Sequence, residues 1–122
     1  MKFLTTTLLA FTVFSAPAIA AGDIGGTYKV AGTNFDGSKY SGDAKITITS
    51  ETTCTIEWHT GPNSSSAGIC MRNDDSFAAA YKMKDGSVGL IIYKMDKDGS
   101  MDGVWTLSGM NGAGTEVLTP EN

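Results

Sequence analysis

Between Tyr40 and Ser50 the chain alternates strictly: Tyr40, Gly42, Ala44, Ile46 and Ile48 share one parity, and Ser41, Asp43, Lys45, Thr47 and Thr49 share the other. A period of two marks a strand with one face turned to a core. The same alternation, bounded by clusters of Gly, Asn, Asp, Ser and Pro, predicts eight strands. They run Gly26 to Gly32, Tyr40 to Ser50, Thr53 to Thr60, Ser66 to Arg72, Ser76 to Met83, Val88 to Met95, Ser100 to Ser108 and Gly114 to Thr119. Parity assigns Tyr28 and Val30, Ile56 and Trp58, Phe77, Ala79 and Tyr81, Leu90 and Ile92, and Trp105 with Leu107 to the interior. The sixth strand is ambiguous, because Ile91 and Tyr93 are apolar on its other face. That suits a strand covered on both sides, or one lying in a self-association surface.

The turns carry a repeat. Tyr81-Lys82-Met83-Lys84-Asp85-Gly86-Ser87 is echoed by Tyr93-Lys94-Met95-Asp96-Lys97-Asp98-Gly99-Ser100, and Asp36-Gly37-Ser38 holds the same turn. Glycine reaches positive φ without a Cβ clash, so these triplets mark chain reversals. Eight short strands joined by tight turns form a meander. In a domain this small the meander closes into an up-and-down barrel, since closure removes exposed strand edges. The expected fold is therefore all-β, a small eight-stranded antiparallel barrel, with tails only before Ile24 and over the last few residues.

The first twenty residues do not fit this pattern. Lys2, the apolar run Phe3 to Phe14, Pro17 and Ala18-Ile19-Ala20 follow the order of a secretory leader, with cleavage expected after Ala20. The apolar run is too short to span a bilayer, and no cysteine follows the cut to carry a lipid, so release without a membrane anchor is expected, into the periplasm or beyond the cell. Of 122 residues, those from 21 to 122 remain as one domain. Without Lys2, eight basic residues face thirteen acidic ones, a charge of −5. That balance disfavours nucleic acid and anionic membranes as partners.

Export also bears on the two cysteines, which are expected to be oxidised. A hairpin centred on Pro62 places Cys54 opposite Cys70, Ile56 opposite Gly68 and Trp58 opposite Ser66, with Gly61 to Ser65 as its turn. Opposed residues in an antiparallel pair are close enough to be bridged. A redox role is disfavoured, as there is no Cys-x-x-Cys spacing or basic cluster.

Little else carries chemistry. With both cysteines bridged, the single histidine, His59, would leave a metal site to carboxylates. His59 and Glu57 share an outward face but lack a nucleophile, and read as a solvated pair. An EF-hand loop begun at Asp96 would need Gly and Glu where Met101 and Leu107 stand. Gly109 to Gly114 lacks the lysine of a phosphate cradle and reads as a turn. Asn63-Ser64-Ser65 matches a glycosylation acceptor, read as unused in a bacterial chain. No enzyme, metal or cofactor is expected. The residues that could build a binding site are the aromatics: Tyr28, Tyr40, Trp58 and Trp105 could wall an apolar pocket at a barrel mouth, with Phe77 and Tyr81 beside them. Small inward residues, Gly42, Ala44, Gly68, Ala79 and Gly103, make room for these rings or leave a cavity, and any cavity should lie near one rim.

Gly32 to Gly42, Trp58, Gly68-Ile69-Cys70, Asp102 to Thr106 and Gly112 to Leu118 together resemble a family of small exported proteobacterial proteins over nearly the whole mature chain. Some members are called fibronectin-binding, which implies an extracellular protein partner. More distantly, Gly26-Thr27-Tyr28 is similar to the opening of lipocalin-like and avidin-like barrels, with tyrosine where tryptophan is usual. Two functions follow as expectations. One is a barrel binding a small apolar or amphipathic molecule. The other is a module binding an extracytoplasmic protein, as an adhesin or an inhibitor of an exported hydrolase, through loops such as Gly61 to Ser65 or the segment Ala21 to Gly25.

Overall fold

A computed structural model describes residues 24–121. The leader expected over residues 1–20 and the segment 21–23 lie outside the described residues. The eight strands are β1 (Gly26–Thr33), β2 (Lys39–Ile48), β3 (Thr53–His59), β4 (Ser65–Asn73), β5 (Ser76–Met83), β6 (Val88–Met95), β7 (Met101–Leu107) and β8 (Gly114–Pro120). Each pairs antiparallel with the next, and β1 pairs with β8, so the sheet closes into a barrel. No described helix is long and apolar enough to cross a membrane.

Turn chemistry sets the register. In each Asp-Gly-Ser turn the glycine has positive φ: 85° at Gly37, 91° at Gly86 and 86° at Gly99. The aspartate carboxylate then accepts from the serine two residues on, at its backbone N–H and its hydroxyl, at Asp36, Asp85 and Asp98 alike. Those bonds hold the three carboxyls below their ordinary values, with the serine hydroxyl the main cause. The hairpin around Pro62 has the expected register, with Cys54 opposite Cys70, Ile56 opposite Gly68 and Trp58 opposite Ser66. Cys54 and Cys70 are bridged, with Cα atoms 4.9 Å apart.

The interior follows the predicted parity on most strands: Tyr28, Val30, Ala44, Ile46, Ile56, Trp58, Phe77, Ala79 and Tyr81 are buried. On β6 the parity is reversed. Leu90 and Ile92, expected inside, are 58% and 64% exposed, whereas Ile91 and Tyr93 are buried. The hairpin through Asp85-Gly86 decides this, since it sets Tyr93 opposite Phe77 and Ile91 opposite Ala79, and opposed residues share a face. Tyr93 stacks on Phe77 with ring centroids 5.3 Å apart. Ile48, also expected inside, is 43% exposed near the end of its strand. On the outer face the reversal sets Met71, Ala78, Ile92 and Val104 side by side across β4 to β7.

Filling is uneven along the axis. Towards the end holding Ile24 and the bridge, Ile46, Ile56, Phe77, Tyr93, Met101 and Leu118 are fully buried. Burying each such side chain stabilises the fold by about 1.5–3 kcal/mol. Towards the other end, where the β1–β2, β3–β4, β5–β6 and β7–β8 turns emerge, the interior opens.

Candidate functional site

One lateral row of residues builds the floor of this open end. Across neighbouring strands the register reads Tyr40 on β2, Gly32 on β1, Glu116 on β8, Gly103 on β7 and Tyr93 on β6. The two glycines leave the wall bare on either side of Glu116. The tyrosines one strand further out lay their rings across that space. A Cβ at Gly32 would stand 2.0 Å from the Tyr40 ring, and one at Gly103 would stand 2.7 Å from the Tyr93 ring. Both phenols therefore reach Glu116 from opposite sides.

Glu116 is only 4% exposed, a carboxyl inside a barrel core. Its Oε1 accepts from the Tyr40 hydroxyl at 2.9 Å, and its Oε2 accepts from Trp58 Nε1 at 3.1 Å and from the Tyr93 hydroxyl. Trp58 Nε1 also lies 3.3 Å from the Tyr93 oxygen. Burial raises the Glu116 carboxyl above its ordinary value, opposed by these three donors. Burial and the nearby carboxylate raise Tyr93 and Tyr40 well above the phenol range, and burial foremost pushes Tyr81 up to about 12. All three phenols thus stay protonated at neutral pH and available as donors.

Above Glu116 lies a cavity of about 520 Å³, open at the rim. Phe35, Tyr40, Trp58, Tyr81 and Trp105 form its aromatic walls, with Thr60, Ser64 and Ser66 as small polar lining. Trp58 meets Tyr81 edge-on at 5.4 Å, and Trp105 lies 4.7 Å from Phe35 and 6.2 Å from Tyr40. The rings are pinned by hydrogen bonds from Tyr81 to the Thr106 carbonyl and from Trp105 Nε1 to the Thr115 carbonyl. Trp105 also covers Gly114 on the next strand, and Tyr81 covers Gly89. The size suits a small organic molecule, since such sites span roughly 300–1,000 Å³.

Of the four aromatics singled out as candidates, the structure gathers Tyr40, Trp58 and Trp105 into this cavity. Tyr28 is not among its lining residues: it is buried in the filled half, where its hydroxyl donates to the Ile24 carbonyl at 2.6 Å. Glu116, Phe35 and Tyr81 join the site instead. Glu116 was legible in part, as it shares parity with Gly114 and Leu118 on the last strand. Glu57 and His59 point outward and are exposed. Among the described residues no group of three His, Cys, Asp or Glu side chains is placed to hold a metal ion.

No protein-family profile and no curated protein sequence matches the chain. Solved structures do. The fold is similar to a redesigned beta barrel at TM-score 0.74 and 19% identity, covering 84% of this chain and 96% of that one. It is similar to the redesigned beta barrel mFAP1, bound to DFHBI, at TM-score 0.73 and 22% identity over 82% and 97% of the two chains. A de novo designed fluorescence-activating beta barrel matches at TM-score 0.67 and 15% identity, over 80% and 93%. At these identities the likeness is one of fold, a closed eight-stranded barrel.

Proposed function

We propose that this protein is a small-molecule binding barrel, taking a compact aromatic or amphipathic ligand into the cavity above Glu116. The observation that carries the reading is the cavity itself: about 520 Å³, walled by five aromatic side chains and open at one rim. A void lined by rings forfeits dispersion contacts that a few larger side chains would restore. Its natural use is to give those contacts to a guest. The similar redesigned barrel mFAP1 is bound to DFHBI, which supports a ligand in a barrel of this shape. The leader-like order of residues 1–20 and the bridge between Cys54 and Cys70 support a place outside the cytoplasm.

The test is an NMR titration with a neutral aromatic, naphthylmethanol. Amide shifts should cluster at Phe35, Thr60 to Ser66 and Trp105 to Met110, around the rim. Ser66→Trp, which plugs the cavity, should abolish them while keeping the barrel's spectrum. Shifts that are absent, or that persist in the plugged variant, would refute the reading.

A further inference from the structure

The cavity's lining is electrostatically one-sided. It contains two carboxylates, Glu116 at the floor and Asp36 in the β1–β2 turn, and no lysine, arginine or histidine. The three groups that hydrogen-bond Glu116, two phenols and an indole N–H, are neutral. Neutral donors satisfy lone pairs but supply no counter-charge, and a buried carboxylate without one is costly. A carboxylate offers about four acceptor positions, so three donors leave one open. Since Glu116 itself lines the cavity, a guest can reach it.

Resting on the reading of this cavity as a ligand site, we infer that its occupant is an organic cation: an amine or ammonium group on an apolar or aromatic body, charged end towards Glu116. The walls fit that guest twice over. The faces of Trp58, Trp105, Tyr40, Tyr81 and Phe35 attract a cation through their ring quadrupoles and cover its apolar body by contact. An anionic guest, such as a fatty acid, would meet Glu116 and Asp36 with no base to offset the repulsion. A neutral guest gains the walls but leaves the buried charge uncovered.

Three probes of one shape test this by isothermal titration of the disulfide-bonded protein at neutral pH: naphthylmethylamine, naphthylmethanol and naphthylacetate. The amine is expected to bind at least about tenfold tighter than the alcohol, with the acetate weakest. Glu116→Gln should bring the amine to within about threefold of the alcohol, whatever it does to the affinity of both. If that variant does not fold, the three probes on the unaltered chain still decide, and Asp36→Asn at the rim should narrow the gap between amine and alcohol. Equal binding of amine and alcohol, or tighter binding of the acetate, overturns the cation inference and leaves the cavity reading standing. Binding by none of the three overturns both.

Discussion

Gly103→Ala tests the link between the barrel wall and the site more directly than any change in the cavity. Gly103 has no left-handed φ, so alanine is compatible with its backbone, and the unfolded chain would lose entropy worth about 0.4–1 kcal/mol in the mutant's favour. The added Cβ, however, would stand 2.7 Å from two carbons of the Tyr93 ring and 3.2 Å from the Glu116 carbonyl oxygen. Tyr93 is fully buried, stacked on Phe77 and bonded to the Glu116 carboxyl, so the ring cannot swing into solvent. Overpacking of this kind costs about 1–3 kcal/mol. Loosening the phenol from the carboxyl loses part of a charge-assisted hydrogen bond worth about 1.5–3 kcal/mol. The net expectation is a loss of about 2 kcal/mol, or roughly 8–16 °C in a domain of this size. Urea unfolding followed by circular dichroism measures it, with Gly112→Ala as control. Gly112 also lacks a left-handed φ, and its Cβ would meet only Phe35, at 3.5 Å, so a change within about 0.5 kcal/mol is expected there. A Gly103→Ala protein as stable as its parent, with unchanged near-ultraviolet dichroism, would refute the argument that this row of glycines seats the tyrosines.

Ile91→Glu should cost at least about 3 kcal/mol by burying an unpaired carboxylate in a cavity lining that holds no base, and Ile92→Glu less than about 0.5 kcal/mol; denaturant midpoints in the opposite order would place the wrong face of β6 inside. Replacing Cys54 and Cys70 by alanine opens a loop with a sequence separation of 16, worth about 3 kcal/mol in the chain-entropy model, and removes two buried sulfurs besides; a loss under about 1 kcal/mol in urea would contradict that account. The raised Glu116 carboxyl means the folded chain holds a proton that the unfolded chain releases, so its contribution to stability is complete at acid pH. That contribution is lost as pH rises from the ordinary glutamate range through the raised value. Tyr40 from β2, Trp58 from β3 and Tyr93 from β6 surround this carboxyl. Glu116→Gln should therefore flatten the dependence of urea midpoint on pH above about pH 4, and parallel curves for the two proteins would exclude it. The lowered carboxyls of Asp36, Asp85 and Asp98 act with the opposite sign, losing their contribution as pH falls, and cancel in the comparison.

Strand positions, closure and the cysteine pairing were legible because each rests on local rules: alternation, Asp-Gly turns, and symmetry about Pro62. The same symmetry taken about Asp85 would have set Tyr93 opposite Phe77 and corrected β6. Parity alone could not, since Leu90, Ile91, Ile92 and Tyr93 are apolar on both faces, and only the neighbouring strands' registers decide which face is enclosed. Tyr28 and Tyr40 are chemically alike in sequence, yet one fills the core and the other lines the cavity. What separates them is their height along the barrel axis, which periodicity does not encode. Glu116 was hidden for a related reason. Its parity is that of Gly114 and Leu118, but only the register shows Gly32 on one side of it and Gly103 on the other.

Those glycines also explain why the open half does not collapse. An eight-stranded barrel has an interior just wide enough for side chains to fill or for one small ligand to enter. Three of the rings instead lie against the wall, each over a glycine directly opposite on the next strand: Tyr40 over Gly32, Tyr81 over Gly89, Trp105 over Gly114. Hydrogen bonds at their far ends, to Glu116, the Thr106 carbonyl and the Thr115 carbonyl, hold them there. A ring flattened over a glycine buries one face against backbone and presents the other to the cavity. The space that would otherwise be filled by ring width is left empty above Ser66 and Thr60. Glycine placement, more than the number of aromatic residues, is what makes this half of the barrel a container.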